Sequence, residues 1–257
     1  MQIDARRRRL YVLSSGHRSI YVYDCVNGRL LERIALPRTV APGSLALDGS
    51  GQQAYVTDAD SSLVLKVGLN SGVVTAQQRV QHRPSRVIFF EDGTGRLAVL
   101  SAEAQQLSVL DADQLVVQRT VAIGQDARDL LFFDDLIYVT ERATNVVALY
   151  EYQTGRLRAR IPVGFSPQDL LLVDSRQVLV SNRGAASLSV LVAGQETSFR
   201  RIAAGGQPSA LALSSRRQLV YVANLKDKTV EIVDLIAEKP VGELSVGGTP
   251  RALAILD

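Results

Sequence analysis

The sequence contains one cysteine, Cys25, which excludes an intramolecular disulfide and a thiolate zinc cluster. Its two histidines, His17 and His82, are too few and too far apart in the chain for a histidine metal site. No Cys-x-x-Cys-His motif offers covalent haem attachment, and no Walker-type glycine loop offers a phosphate cradle, so no cofactor is expected. No apolar run of 18 residues is present to form a membrane-spanning helix. Residues 1–6 carry no apolar stretch of the signal-peptide kind, which leaves a cytoplasmic protein or a mature or trimmed form. Aromatics make up only 5% of the chain and the net charge is +3. That balance suits weak attraction to anionic partners but falls short of a nucleic-acid footprint, and no aromatic series for base stacking is present. No linker or low-complexity stretch interrupts the chain, so residues 1–257 are expected to form one domain.

What is present is one motif written six times. A short apolar strand bearing Tyr-Val or a variant recurs at Val12, Val56, Val99, Val139, Val180 and Val222, in steps of 44, 43, 40, 41 and 42 residues. Ahead of each later copy lies a proline-marked lead-in, at Pro42, Pro84, Pro167, Pro208 and Pro250, with Ala127 at the equivalent place. A period of about 40 to 45 residues with several short strands per repeat is the signature of a β-propeller. The second repeat is the template: Ser44-Leu45-Ala46-Leu47, a turn at 48–51, Gln53-Ala54-Tyr55-Val56-Thr57, a turn at 58–61, a strand over 62–67, a turn at Asn70-Ser71-Gly72 and a last strand over 73–80. Four antiparallel strands joined by tight turns make one blade. Neighbouring blades cover each other's faces, which accounts for the 46% hydrophobic content.

Residues 5–36 supply three strands, and the tail from Gly247 to Leu256 repeats the lead-in strand of Gly205 to Leu211. The expected fold is therefore all-β, a six-bladed propeller closed by the C-terminal strand joining the N-terminal blade, three strands plus one. At Tyr11, Tyr55, Tyr138 and Tyr221 with their valines, at Val163-Gly164-Phe165-Ser166-Pro167 and over Thr229 to Asp234, the repeats resemble the YVTN family of β-propeller proteins. The resemblance implies a bacterial or archaeal protein, often secreted, surface-attached or periplasmic, with lactonases and propeller subunits of periplasmic oxidoreductases among related folds. It specifies the fold and leaves function to the loops.

Two sets of candidate residues emerge. Two positions past each lead-in proline lies the mouth of the central channel, giving Ser44, Arg86, Asp129 and Asp169, with small residues Ala210 and Ala252 opposite. This polar arc is the candidate small-molecule site. The second set, on the loop face, comprises His17, Asp58, His82, Glu103, Glu141, Asn182 and Asn224. Glu103, Glu141, Asn182 and Asn224 are read in one register just after the Tyr-Val strand, where oxygen donors would suit a hard cation as in calcium-dependent lactonases. The competing reading makes them ordinary turn formers. A serine-hydrolase triad has no supporting motif.

Charge is patterned on another set of turns, with Arg6-Arg7-Arg8-Arg9 and Arg216-Arg217 against Glu91-Asp92 and Asp134-Asp135. Such a lateral dipole would steer a protein partner. The favoured function is a non-enzymatic scaffold that docks a protein partner through one loop face. The alternatives are a lactonase-like hydrolase with its metal at the channel mouth and an accessory subunit of a periplasmic redox complex.

Overall fold

The computed structural model describes residues 1–256. The described residues contain 24 strands and no helix, hence none long and apolar enough to cross a membrane. The strands form six separate four-stranded antiparallel sheets, the six blades expected from the repeat. The chain divides into two compact units of three blades each, Met1–Ile123 and Gly124–Ile255.

In the first unit, blade one is β1 (Gln2–Asp4), β2 (Arg9–Ser14), β3 (Ser19–Asp24) and β4 (Leu30–Ala35). Blade two is β5 (Pro42–Leu47), β6 (Gln53–Asp58), β7 (Leu63–Gly68) and β8 (Val73–Arg79). Blade three is β9 (Arg86–Glu91), β10 (Gly95–Ser101), β11 (Gln106–Asp111) and β12 (Val116–Ala122). In the second unit, blade four is β13 (Ala127–Phe133), β14 (Leu136–Glu141), β15 (Val146–Glu151) and β16 (Leu157–Pro162). Blade five is β17 (Pro167–Leu172), β18 (Gln177–Asn182), β19 (Ser187–Val192) and β20 (Ser198–Ala203). Blade six is β21 (Pro208–Ser214), β22 (Leu219–Asn224), β23 (Thr229–Asp234) and β24 (Lys239–Ser245).

The expected three-plus-one arrangement requires correction. The inner place in blade one belongs to β1, which pairs with β2 through Gln2↔Tyr11, Ile3↔Leu10 and Asp4↔Arg9. Residues 246–256 form no strand. The reason is local: Ile3-Asp4 carries the strand-then-Asp signal of Leu47-Asp48, and the Asp4 carboxylate accepts the Arg7 N–H at 3.0 Å to close its own turn.

Blade-to-blade packing follows strand alternation. Tyr11, Ile20, Val22 and Ile34 of blade one meet Leu45, Val56, Leu65 and Val67 of blade two. In the second unit, Tyr138, Val147 and Leu149 meet Leu170, Val178, Val180 and Leu191 across the next interface. At two of the repeats the tyrosine spans its blade interface and places its hydroxyl on the neighbour's outer turn. Tyr55 donates to the Ala112 carbonyl at 3.0 Å, and the Tyr138 hydroxyl accepts the Gly194 N–H at 2.7 Å. A ring that fills the core and ends in a polar group meets both needs at once.

The loops that carry candidate residues are tightly specified. In every blade the residue before the third strand is left-handed: Arg18, Ser62, Gln105, Asn145, Ala186 and Lys228. Three lead-ins also place a left-handed residue directly before the opening strand, at Asp126, Ser166 and Gln207, and in blade three Arg83 is left-handed just before Pro84. Lead-in and turn are then stitched by backbone bonds from Arg142 N to Asp126 O, Arg183 N to Ser166 O and Leu225 N to Gln207 O. The cost of left-handed backbone at non-glycine residues is offset by these bonds, and the loops are held rigid.

Candidate functional site

The channel-mouth residues are engaged within the sheets. Val87 N–H donates to Ser44 Oγ at 3.2 Å, Leu170 N–H to Asp129 Oδ2 at 2.9 Å and Leu211 N–H to Asp169 Oδ2 at 2.8 Å. Each side chain thus reaches the lead strand of the following blade, one repeat further along the chain, within one unit. Their own amides donate in turn to Thr57 Oγ1, Thr140 Oγ1 and Ser181 Oγ at 2.9 to 3.0 Å. Ser44 and Asp129 are buried and Asp169 half-buried. Arg86 opens β9 and is half-buried. Ser44, Asp129 and Asp169 thus stitch lead strands together.

The loop-face set divides by depth. Asp58, Glu141, Asn182 and Asn224 are each the last residue of their blade's second strand, and all are buried. The position in blade three belongs to Ser101, so Glu103 is out of the expected register and lies in the following turn. Two of the buried four, Asp58 and Glu141, close the sheet against the lead-in. Asp58 Oδ1 accepts the Ala41 N–H at 2.9 Å, and Glu141 Oε1 accepts the Gly124 N–H at 2.8 Å. Glu141 also accepts the Tyr150 hydroxyl at 3.0 Å and meets Arg160 Nε at 3.4 Å. In blades five and six a residue of the third strand holds the lead-in amide, with Gly164 N–H on Ser189 Oγ at 3.2 Å and Gly205 N–H on Glu231 Oε2 at 2.8 Å. Position 189 or 231 carried no repeat signal, so sequence reasoning missed this substitution of roles.

Three candidates remain at the surface. His17 bonds the Tyr21 hydroxyl through Nδ1 at 3.0 Å. His82 and Arg83 flank Glu103, at 3.9 and 3.3 Å, in an exposed cluster of blade three. Exposed ion pairs of this kind contribute little to stability. The arginine run in blade one is partly spent: Arg7 pairs with Asp4 at 3.2 Å and donates to the Ser50 carbonyl at 2.8 Å. Arg6 and Arg8 are exposed, as are Glu91, Asp92, Asp134, Asp135, Arg216 and Arg217.

Tyrosine burial has a consequence in alkali. Burial raises the Tyr150 phenol far above its ordinary value, reinforced by the Glu141 charge and their hydrogen bond. Burial likewise raises Tyr55, helped by Asp48, Asp113 and Asp111, and raises Tyr138. A phenol freed by unfolding ionises near pH 10, while the folded one stays protonated to higher pH. The unfolded state then binds fewer protons, so stability is fully present below pH 10 and lost as pH rises beyond it. Urea unfolding between pH 9 and 11.5 should show this fall, and Tyr150→Phe should flatten the slope by about 1.4 kcal/mol per pH unit. An unchanged slope in that variant would refute the assignment.

No protein-family model matches the sequence, and a search of curated proteins finds no relative. Solved structures match in large number, as suits a fold shared by unrelated activities. Hydrazine synthase of Kuenenia stuttgartiensis superposes with a TM-score of 0.84 at 14% identity, over 99% of this chain and 88% of that one. A functionally unknown protein of Desulfotomaculum acetoxidans superposes with a TM-score of 0.79 at 16% identity, over 93% and 82%. At these identities the likeness establishes the six-bladed β-propeller fold.

Proposed function

We propose that this chain is a non-catalytic docking propeller that holds a protein partner on the lead-in and turn loops of the unit Gly124–Ile255. The observation that carries the proposal is Phe165, an aromatic ring 64% exposed on a rigid loop. The ring lies over Gly184, where any Cβ would collide with Phe165 Cδ1. Its carbonyl accepts the Gly184 N–H at 2.9 Å, and the next amide, Ser166 N–H, donates to Asn145 Oδ1 at 2.8 Å. Beside it Arg183 Nη2 bonds Gln207 Oε1 at 3.2 Å. A fixed aromatic with an adjacent arginine is the composition of an interface anchor, and its ordering cost is met before the partner arrives.

The accessory-subunit reading is a variant of the same docking role. It draws on the YVTN resemblance, with its periplasmic expectation, and on a structural neighbour that bears an enzyme's name. The lactonase-like reading is weaker because its oxygen set is divided. Glu141 is engaged by Gly124, Tyr150 and Arg160, while Glu103 pairs with Arg83 in a surface turn.

The test compares wild type with Phe165→Ala/Arg183→Ala as immobilised baits in extract of the source cells. A defined protein should be retained by wild type and lost from the double variant, at equal melting temperature. Equal retention by both baits, or no specific retention at all, would reject this surface. Asp129 and Asp169 are unsuitable probes because their loss would damage the fold.

A further inference from the structure

The loops on either side of Phe165 are bonded into one continuous strip. The blade-four turn reaches the blade-five lead-in through Asn145 Oδ1, which accepts the Ser166 N–H at 2.8 Å. That lead-in holds the blade-five turn, because the Phe165 and Ser166 carbonyls accept the Gly184 and Arg183 amides at 2.9 Å each. The Arg183 side chain then crosses to Gln207 of the blade-six lead-in. The Gln207 and Gly206 carbonyls in turn accept the Leu225 and Lys226 amides at 3.1 Å each. On the other flank the Arg142 amide donates to the Asp126 carbonyl of the blade-four lead-in. Turn and lead-in thus alternate from Asp126 to Lys226, with Phe165 midway along the strip.

The charged groups of this strip divide by direction. Its carboxylates are turned inward: Glu141 and Glu231 are buried and accept the Gly124 and Gly205 amides. Asp129 and Asp169 accept the Leu170 and Leu211 amides, and Asp227 accepts the Gly206 N–H. Its cations point outward. Arg128 and Arg142 share one carboxylate, that of Asp126, at 2.6 Å each. Arg183 bonds a neutral oxygen, that of Gln207, and Lys226 and Lys228 are exposed. A carboxylate spent on the protein's own amides offers a partner little, whereas a guanidinium or ammonium at the rim keeps donors to spare. The surface therefore asks for acceptors on both sides of an apolar contact. Phe165 is the one aromatic in lead-ins 124–126, 163–166 and 204–207 and turns 142–145, 183–186 and 225–228, so bases have no series of rings on which to stack. A protein segment rich in carboxylates meets the demand.

Building on the docking function proposed above, we propose that the partner presents an acidic segment in which carboxylates flank a large apolar side chain. The apolar side chain lies on Phe165, and the carboxylates take Arg128 and Arg142 on one flank and Arg183, Lys226 and Lys228 on the other. The experiment selects displayed random dodecapeptides on immobilised full-length protein and measures the enriched peptides by fluorescence anisotropy. Aspartate or glutamate should flank leucine, phenylalanine or tryptophan in them, and Kd should rise about tenfold between about 50 and 300 mM sodium chloride. Phe165→Ala and Lys226→Gln/Lys228→Gln should each weaken binding about tenfold. Arg216→Gln/Arg217→Gln removes the same charge at the opposite edge of blade six, between β21 and β22, and should leave affinity unchanged. Enrichment of neutral or basic peptides that still depend on Phe165 would keep the docking surface and overturn its acidic partner. Equal effects of the two charge variants would overturn it as well, since net charge alone would then explain the attraction. Tighter binding of poly(uridylate) than of the peptides at equal salt would give the strip to a nucleic acid. No enrichment over bare support would also overturn the acidic segment, while retention from cell extract decides docking separately.

Discussion

Glu141→Ala is expected to lower the unfolding free energy by about 4 kcal/mol, the largest effect of any single loop-face substitution. The side chain is fully buried and serves three groups at once: the Gly124 amide, the Tyr150 hydroxyl and Arg160. Removal strands the first two in a dry interior, where each unmet donor costs about 1 to 3 kcal/mol. Arg160 adds little to the loss because its side chain is 48% exposed and regains water. Glu141→Gln keeps an acceptor for Gly124 and should cost about half as much. Urea denaturation with an unchanged m-value measures both. A loss under 1 kcal/mol for the alanine variant would show that the lead-in amide does not depend on this carboxylate.

Asp129→Ala follows, with an expected loss of about 3 kcal/mol, read as a drop of about 6 to 12 °C in melting temperature. The carboxylate is buried and accepts the Leu170 N–H at 2.9 Å, joining the lead strands of blades four and five. An ionised acceptor makes a stronger bond than a neutral one. Ser44→Ala, which removes the matching bond to Val87 at 3.2 Å, should therefore cost only about 1 kcal/mol. Equal effects of the two substitutions in differential scanning calorimetry would refute the ranking by charge. These variants also separate a stitch from a ligand site, since a solvent-facing binding carboxylate could be removed with little loss of stability.

The two predictions mark where the sequence was legible. The six Tyr-Val strands, the lead-in prolines Pro42, Pro84, Pro167 and Pro208 and the turn residues at Asp134-Asp135 are local signals, and each falls where the strands and turns form. Local patterning also located the end of the second strand, where Asp58, Glu141, Asn182 and Asn224 lie. It did not show their orientation. Asp129 reads as a rim carboxylate beside Arg86, and the sequence does not show that it also accepts the backbone N–H of Leu170, 41 positions away. Glu103 reads as the mate of Glu141, but β10 runs to Ser101 and pushes it into the turn. The tail reads as an inner strand, but Gln2–Asp4 pairs in that place.

The sequence by itself determined the blade count, the strand order within a blade and the turns, because a repeat of short strands depends on alternation and turn chemistry among near neighbours. Only the tertiary structure decided which polar residues are spent and which are free. That depends on which backbone amides lose their water when one blade packs on the next, and those amides lie a full repeat away. Hence Asp129 and Glu141 hold the fold together, Phe165 stands exposed over Gly184, and Asn224 is buried with its amide unmet.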